Sequence, residues 1–201
     1  MHSITLTVLW GVFKEEYAPF FYYKGGVNLT LEEAITQALI KIDAEKSDFD
    51  TNIYWSSANV AQQKIACYGK HINKMVKVTT ESQNTEYDLP DDLLQFKYII
   101  SDDLSYSLKD KDTLILEDIG TYEIYYWALP SEITKNTPNT YEFEVDKETH
   151  IAIPFYIAYE CTKTDDVQLA QMMLNEFNQY MSLFNDNPVY RTTKIKQCYL
   201  R

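Results

Sequence analysis

The spacing of apolar residues changes twice along this chain, and that change limits the folds open to it. Leu31, Ala34, Ile35, Ala38, Leu39 and Ile42 recur at helical spacing, residues from Met75 onward alternate with a period of two, and helical spacing returns after Pro154. Helices, then strands, then helices again is the pattern of an α+β chain, not of an alternating βαβ one.

The first helix is expected over 30–43. Thr30 and Glu33 stand at capping-box spacing, where each side chain reaches the other's free backbone N–H. A second helix is expected over 57–73, with Ala61, Ile65, Tyr68, Ile72 and Met75 as its stripe and Gly69 inside it. Between about 75 and 145 the chain reads as sheet. Met75–Thr80 pairs with Glu86–Leu89 across a turn at Ser82–Thr85, and Pro90-Asp91-Asp92 suits a short helical turn with proline first. Phe96–Ile100 is a further strand. Thr113–Glu117 and Thr121–Ala128 form a hairpin over Asp118–Gly120, with Tyr122, Ile124 and Tyr126 on one face, and Thr140–Val145 is a last strand.

Two closing helices are expected over 154–163 and 165–184, paired antiparallel because their link is short. The expected architecture is therefore a helical bundle core of about four helices. An antiparallel β insert separates the helix pairs, and extended arms lie at 1–29 and 186–201 around a domain at 30–185.

Charge and composition narrow the function. Eighteen lysines and arginines stand against 30 acids, a net charge of −12, which disfavours general binding to a phosphate backbone. The 187–201 stretch is the exception, carrying Arg191, Lys194, Lys196 and Arg201 without an acid. It is either a basic arm for an acidic partner surface or a solvated terminus. Tyrosine supplies 17 of 201 residues. Such a content suits protein interfaces, where one side of a ring is dry and the other wet, and equally suits a tyrosine-rich sheet face.

The amino-terminal stretch holds Trp10, Tyr17, Phe20, Phe21, Tyr22 and Tyr23 ahead of Gly25-Gly26. So aromatic a segment is expected to pack on its own domain or on a neighbour. These six residues, with Tyr190, Arg191, Lys194, Lys196, Tyr199 and Arg201, are the candidate partner-binding residues. Ile4–Phe13 is too short and wrongly flanked to read as a signal peptide or a membrane span.

Candidates for chemistry are few. Cys67, Cys161 and Cys198 are odd in number and widely spaced, and His2, His71 and His150 lack metal-ligand spacing, so no disulfide framework, metal or cofactor is expected. Asp146, Glu148 and His150 lie within five residues, where an acid and a histidine could form a general base, but acids at a strand-to-helix junction are expected as caps. Cys67 reads as a buried structural thiol. Asp43, Glu45, Asp48 and Asp50 lack the glycine and closing glutamate of a calcium loop and read as a solvated connector. Trp10, Trp55 and Trp127 with the tyrosines leave carbohydrate stacking open.

Three stretches in order resemble the head-to-tail adaptor family of short-tailed phages. The family is typified by the tail accessory factor under the portal of P22-like phages, and the pattern is similar to the tubular gatekeeper proteins of T7-like phages. They are the amphipathic Leu29–Ile40, then Tyr87-Asp88-Leu89-Pro90-Asp91-Asp92-Leu93-Leu94, and then Tyr141–Asp146 followed by Ile151–Ala158 and a last helix bearing Asn175-Glu176-Phe177. The aromatic extension before the first helix departs from that family.

The resemblance implies a structural virion protein with no catalytic residues, forming a ring of about twelve identical subunits between portal and tail. Its partners would be its own copies, the portal protein and the tail tube or nozzle. Double-stranded DNA would pass through without specific binding, along a conduit whose acidic lining repels phosphate. No membrane is implied. The alternative function is a non-catalytic, tail-associated module that binds carbohydrate or protein.

Overall fold

The computed structural model describes residues 28–101 and 103–184. Helix α1 spans Leu31–Lys41, a 3-10 turn Lys46–Asp48, and helix α2 Thr51–Tyr68. Six strands follow: β1 Ile72–Thr80, β2 Thr85–Asp88, β3 Leu93–Ile100, β4 Tyr106–Leu108, β5 Thr113–Leu116 and β6 Gly120–Ala128. A 3-10 turn at Lys147–Ala152 then leads into α3 Ile153–Thr162 and α4 Val167–Phe184.

Local chemistry explains the helix ends. The α1 capping box is present: Glu33 N–H donates to Thr30 Oγ1 at 3.3 Å, and Thr30 N–H donates to Glu33 Oε2 at 2.8 Å. Helix α2 starts six residues before the expected Ser57, because Asp50 Oδ1 accepts from Asn52 N–H at 2.8 Å and caps it there. It stops at Gly69 instead of 73, so Ile72 and Met75 belong to β1 and not to a helical stripe. A side chain at Gly69 would come within 3.0 Å of the Ile65 carbonyl oxygen and 3.2 Å of Met181, so glycine permits the close approach of α4. Asp166 caps α4, its Oδ1 accepting from the N–H groups of Gln168 and Leu169.

The expected bundle of about four helices around a single β insert is not what forms. Helix α3 is the hub, with α1, α2 and α4 each packed on it. Its buried residues, among them Ile153, Tyr156, Ile157, Ala158 and Cys161, go nearly all round the helix, whereas a bundle helix buries one stripe. The core is completed by Ile133, Phe143 and Val145 from non-helical chain. Phe155 near the start of α3 meets Tyr180 near the end of α4, so those two helices run antiparallel.

The β region is two three-stranded antiparallel sheets, ordered β1-β6-β3 and β2-β5-β4. They share a second core of Leu89, Leu114, Leu116, Tyr122 and Ile124, and so pack face to face. Neither expected hairpin exists. The chain changes sheets between β1 and β2 and again between β5 and β6, where Asn84 N–H donates to the Glu117 carbonyl at 3.2 Å. Alternation fixed which face of each strand is buried but not its partner, and a three-stranded sheet buries its apolar face only against a second one. Tyr122, Ile124 and Tyr126 do share the inner face of β6.

Two smaller expectations also change. Pro90–Asp92 is a corner between the sheets, not a helical turn: Leu93 N–H returns to the Pro90 carbonyl at 2.9 Å. Asp92 ties this corner down, taking Lys74 Nζ at 2.7 Å and the Tyr126 hydroxyl at 3.1 Å. Burial, aided by that carboxylate, pushes the Tyr126 phenol up to about 12. Thr140–Val145 is not a strand either. It makes one isolated bridge, Thr30 to Glu142, because Phe143 and Val145 turn into the helical core.

Candidate interaction face on the first sheet

The strand alternation that buries Tyr122, Ile124 and Tyr126 turns Glu123, Tyr125 and Trp127 to the opposite, solvent side of β6. Register places Asn73, Met75 and Lys77 of β1 beside Trp127, Tyr125 and Glu123 on one flank. Gln95, Tyr98 and Ile100 of β3 lie beside the same three on the other. A register shift between Phe96 and Tyr98 leaves consecutive Lys97 and Tyr98 both exposed.

A ladder of rings results. His71 stacks on Trp127 at 3.8 Å between centroids, and Tyr98 stacks on Tyr125 at 4.9 Å. Lys97 bridges the two pairs, its Nζ lying 5.5 Å from the Trp127 ring centroid and 5.7 Å from that of Tyr98. Asn73 Oδ1 accepts from the same Nζ at 2.9 Å, and among the described residues no carboxylate pairs with it. Lys77 pairs with Glu123 at 3.3 Å. Partial burial raises the Tyr125 phenol, and the Glu123 carboxylate adds to that. Met75, Tyr98 and Ile100 remain 49%, 45% and 51% exposed. This face can cover apolar or planar surface and receive negative charge at Lys97.

The twelve residues expected to bind partners lie elsewhere. Trp10, Tyr17, Phe20, Phe21, Tyr22, Tyr23, Tyr190, Arg191, Lys194, Lys196, Tyr199 and Arg201 all fall outside the described residues. Of the tryptophans, Trp127 lies on the ladder and Trp55 packs against the helical core. The ladder itself was legible in part, since the residues between Tyr122, Ile124 and Tyr126 must face the other way. What carried no sequence signal was the arrival of His71, Lys97 and Tyr98 beside them.

Asp146, Glu148 and His150 are held in structural roles. The His150 ring is 1% exposed; Nδ1 accepts from Leu29 N–H at 3.1 Å, so Nε2–H donates to the Val145 carbonyl at 2.9 Å. Burial holds this imidazole below the ordinary histidine range. Asp146 accepts from Glu148 N–H, and Lys70 Nζ lies 2.9 Å from Asp146 and 3.3 Å from Glu148. Burial alone would raise Asp146, but hydrogen bonds from Lys70 and the Glu148 amide hold it below the usual carboxylate value.

Cys67 is half-buried, not fully buried as expected, and Cys161 is buried, its thiol pushed up to about 11 by burial and by Glu160. Asp48 and Asp50 serve as caps, Asp48 Oδ2 accepting from Glu45 N–H at 2.8 Å. Among the described residues no group of three His, Cys, Asp or Glu is placed to hold a metal, and no helix is long and apolar enough to cross a membrane. A shallow groove of about 300 Å³ between α2 and α4 is lined by Lys64, Tyr68, Phe177 and Met181 among others.

No protein-family model matches the chain, and no curated protein matches it either.

Proposed function

We propose that this chain is a non-catalytic structural virion protein of the head-to-tail adaptor kind, forming a ring between portal and tail and lining the DNA conduit. The observation that carries the reading is the solvent-side ring ladder of half-buried His71, Trp127 and Tyr125 with exposed Tyr98, and exposed Met75 and Ile100 beside it. A contiguous aromatic face in water costs free energy until another surface covers it. Support comes also from the order of the three stretches that resemble the adaptor family, and from the acidic excess of residues 28–184. Lys14 and Lys24 balance Glu15 and Glu16, and 185–201 is net basic, so all of the excess lies there.

The ladder also favours a second reading, a tail-associated module that binds carbohydrate. Against it, sugars stack on open ring faces, and here His71 lies against Trp127 and Tyr98 against Tyr125.

Electron microscopy and mass photometry of the full chain, alone and with portal particles, test the proposal. Annular particles, free or seated on the portal, are expected, and a chain that stays monomeric and does not dock overturns it. Deleting 187–201 is expected to leave the fold intact and abolish docking to the portal. Undiminished docking removes that role from the basic arm.

A further inference from the structure

The two outer faces of the β sandwich point in opposite directions and differ in chemistry. The first sheet presents the ring ladder with Lys97 and Lys77 against a single acid, Glu123. The second presents Glu86 and Asp88 on β2, beside Ile115 and Thr113 of β5. Register makes these outward residues, because Leu114 and Leu116 between them are fully buried. Glu86 and Asp88 are exposed, and Ile115 is partly so. Lys109 neutralises Glu86 across the sheet at 2.8 Å, while among the described residues the one side chain that donates to Asp88 is Thr113, at 3.1 Å.

We propose that successive copies of this chain dock head to tail through the sandwich, the aromatic, Lys97-bearing face of the first sheet covering the Ile115 and Asp88 face of the second sheet on the next copy. The occupant is a second copy because one molecule carries both halves of the charge match: among the described residues Lys97 pairs with no carboxylate, and Asp88 forms no ion pair, although the Lys109 amine that pairs with Glu86 lies near enough to feel its charge. The alternative of ladder against ladder would bring Lys97 toward Lys97 across a two-fold axis, where like charges repel. The two orientations also differ in outcome. Like faces end at a dimer, whereas unlike faces leave one free at each end and continue until a ring or a filament forms. The inference rests on the ring reading above and says which surfaces make the ring.

Charge exchange tests it in the full-length protein, with mass photometry and electron microscopy read alone and on portal particles. Lys97→Glu and Asp88→Lys each alter an exposed side chain, so unchanged circular dichroism and thermal midpoints are expected for both. Each variant alone is expected to raise the concentration for half-assembly at least about tenfold. Mixed in equal amounts they are expected to assemble again as alternating copies, because each contact between unlike variants meets opposite charge while contacts between like variants still repel. Tyr125→Ala, which removes a ring without altering charge, is expected to weaken assembly in both the wild-type and the mixed case.

Unimpaired assembly by Lys97→Glu overturns the head-to-tail contact while leaving the ring reading in place. Impaired single variants that do not rescue each other also overturn it, since the two faces then do not meet. A wild-type chain that is monomeric throughout removes the ring reading and this inference together.

Discussion

The helical core and the sandwich core are closed by different means. The helical core takes in polar groups and satisfies them with partners far along the chain. Buried Gln62 donates to the Ser131 carbonyl at 2.7 Å and accepts from the Tyr141 hydroxyl at 3.2 Å, Asn59 accepts from Ile133 N–H at 3.0 Å, and His150 joins Leu29 to Val145. The sandwich core is small, and apolar at its centre. Its polar contacts gather at two corners, one where Tyr122 and Thr80 meet Asp118 and Gly120, the other where Asp92 takes Lys74 and the Tyr126 hydroxyl. One half is locked by a polar clasp that only the folded chain can assemble. The other is held by a few apolar side chains, and its broad outer surfaces remain for something else to cover. That difference puts the long-range polar locks mainly in the helical half and the broad uncovered surfaces mainly on the sheets, as the proposal above requires.

The largest predicted effect breaks the sandwich alone. Leu116 is fully buried between the sheets, and Leu116→Ala removes its transfer free energy and leaves a cavity in a core too small to close over it. A loss of about 3 kcal/mol is expected. Hydrogen exchange should then quicken at β2, β5 and β6 while α2 and α3 keep their protection. A uniform rise across both regions would mean that the cores form one cooperative unit, and the comparison would fail.

Next in size is the clasp. His150→Ala leaves Leu29 N–H and the Val145 carbonyl without their buried partner, and about 2 kcal/mol of stability should go. The exchange pattern should be the reverse of the Leu116 one, with loosening at the start of α1 and at 143–150. Protection lost first in the sandwich would contradict the assignment.

Much of the helical half could be read from sequence, and the reason is physical. Capping boxes and 3.6-residue spacing are local, so Thr30 with Glu33 and the helix expected over 165–184 announce themselves. Ala170, Met173 and Phe177 are indeed buried. The start of α2 was missed because Asp50 sits in an acidic run that reads as solvated connector. Strand partnership is the opposite case. Period two tells that Ile124 faces inward and Tyr125 outward, but β1 finds β6 some forty residues away, on sheet packing that no local motif records. The ring ladder depends on that pairing, so no local motif brings His71, Lys97 and Trp127 together.

The clasp also makes the helical half sensitive to acid, by less than loss of the ring itself. His150 titrates below its ordinary value in the fold because burial disfavours the charged ring, and because Nδ1 must accept from Leu29. As pH falls, the unfolded chain therefore takes up this proton first. The stability given by the neutral ring is complete above about pH 6.5, the ordinary histidine value, and is lost as pH falls toward the folded-state value. Asp146, held low by Lys70, titrates in a more acid window. Between pH 7 and 5 the thermal midpoint of the wild type should fall, and that of His150→Phe, which has no proton to gain there, should fall less. Parallel curves would show that His150 does not set the acid response.

The smallest predicted effect on folding is also the one that separates interaction from stability most sharply. Tyr98 is 45% exposed and stacks only on Tyr125, on the outer side of the sheet, so Tyr98→Ala removes one cross-strand aromatic pair and little buried area. A cost of about 0.5–1 kcal/mol is expected, near the lower limit of a chemical-denaturation measurement. The same substitution strips one ring from the ladder and leaves Lys97 with only the Trp127 face beneath it. Its effect on self-association should therefore far exceed its effect on the denaturation midpoint. A residue that served only the sheet would change both in proportion. Tyr122→Phe supplies the contrast, because its hydroxyl bonds with Ser105 and Asp118 are buried at the corner, away from the outer face. That substitution should lower stability and leave association unchanged at temperatures where the chain is folded. If Tyr98→Ala and Tyr122→Phe weaken assembly equally at matched loss of stability, the outer face has no role beyond holding the sheet together.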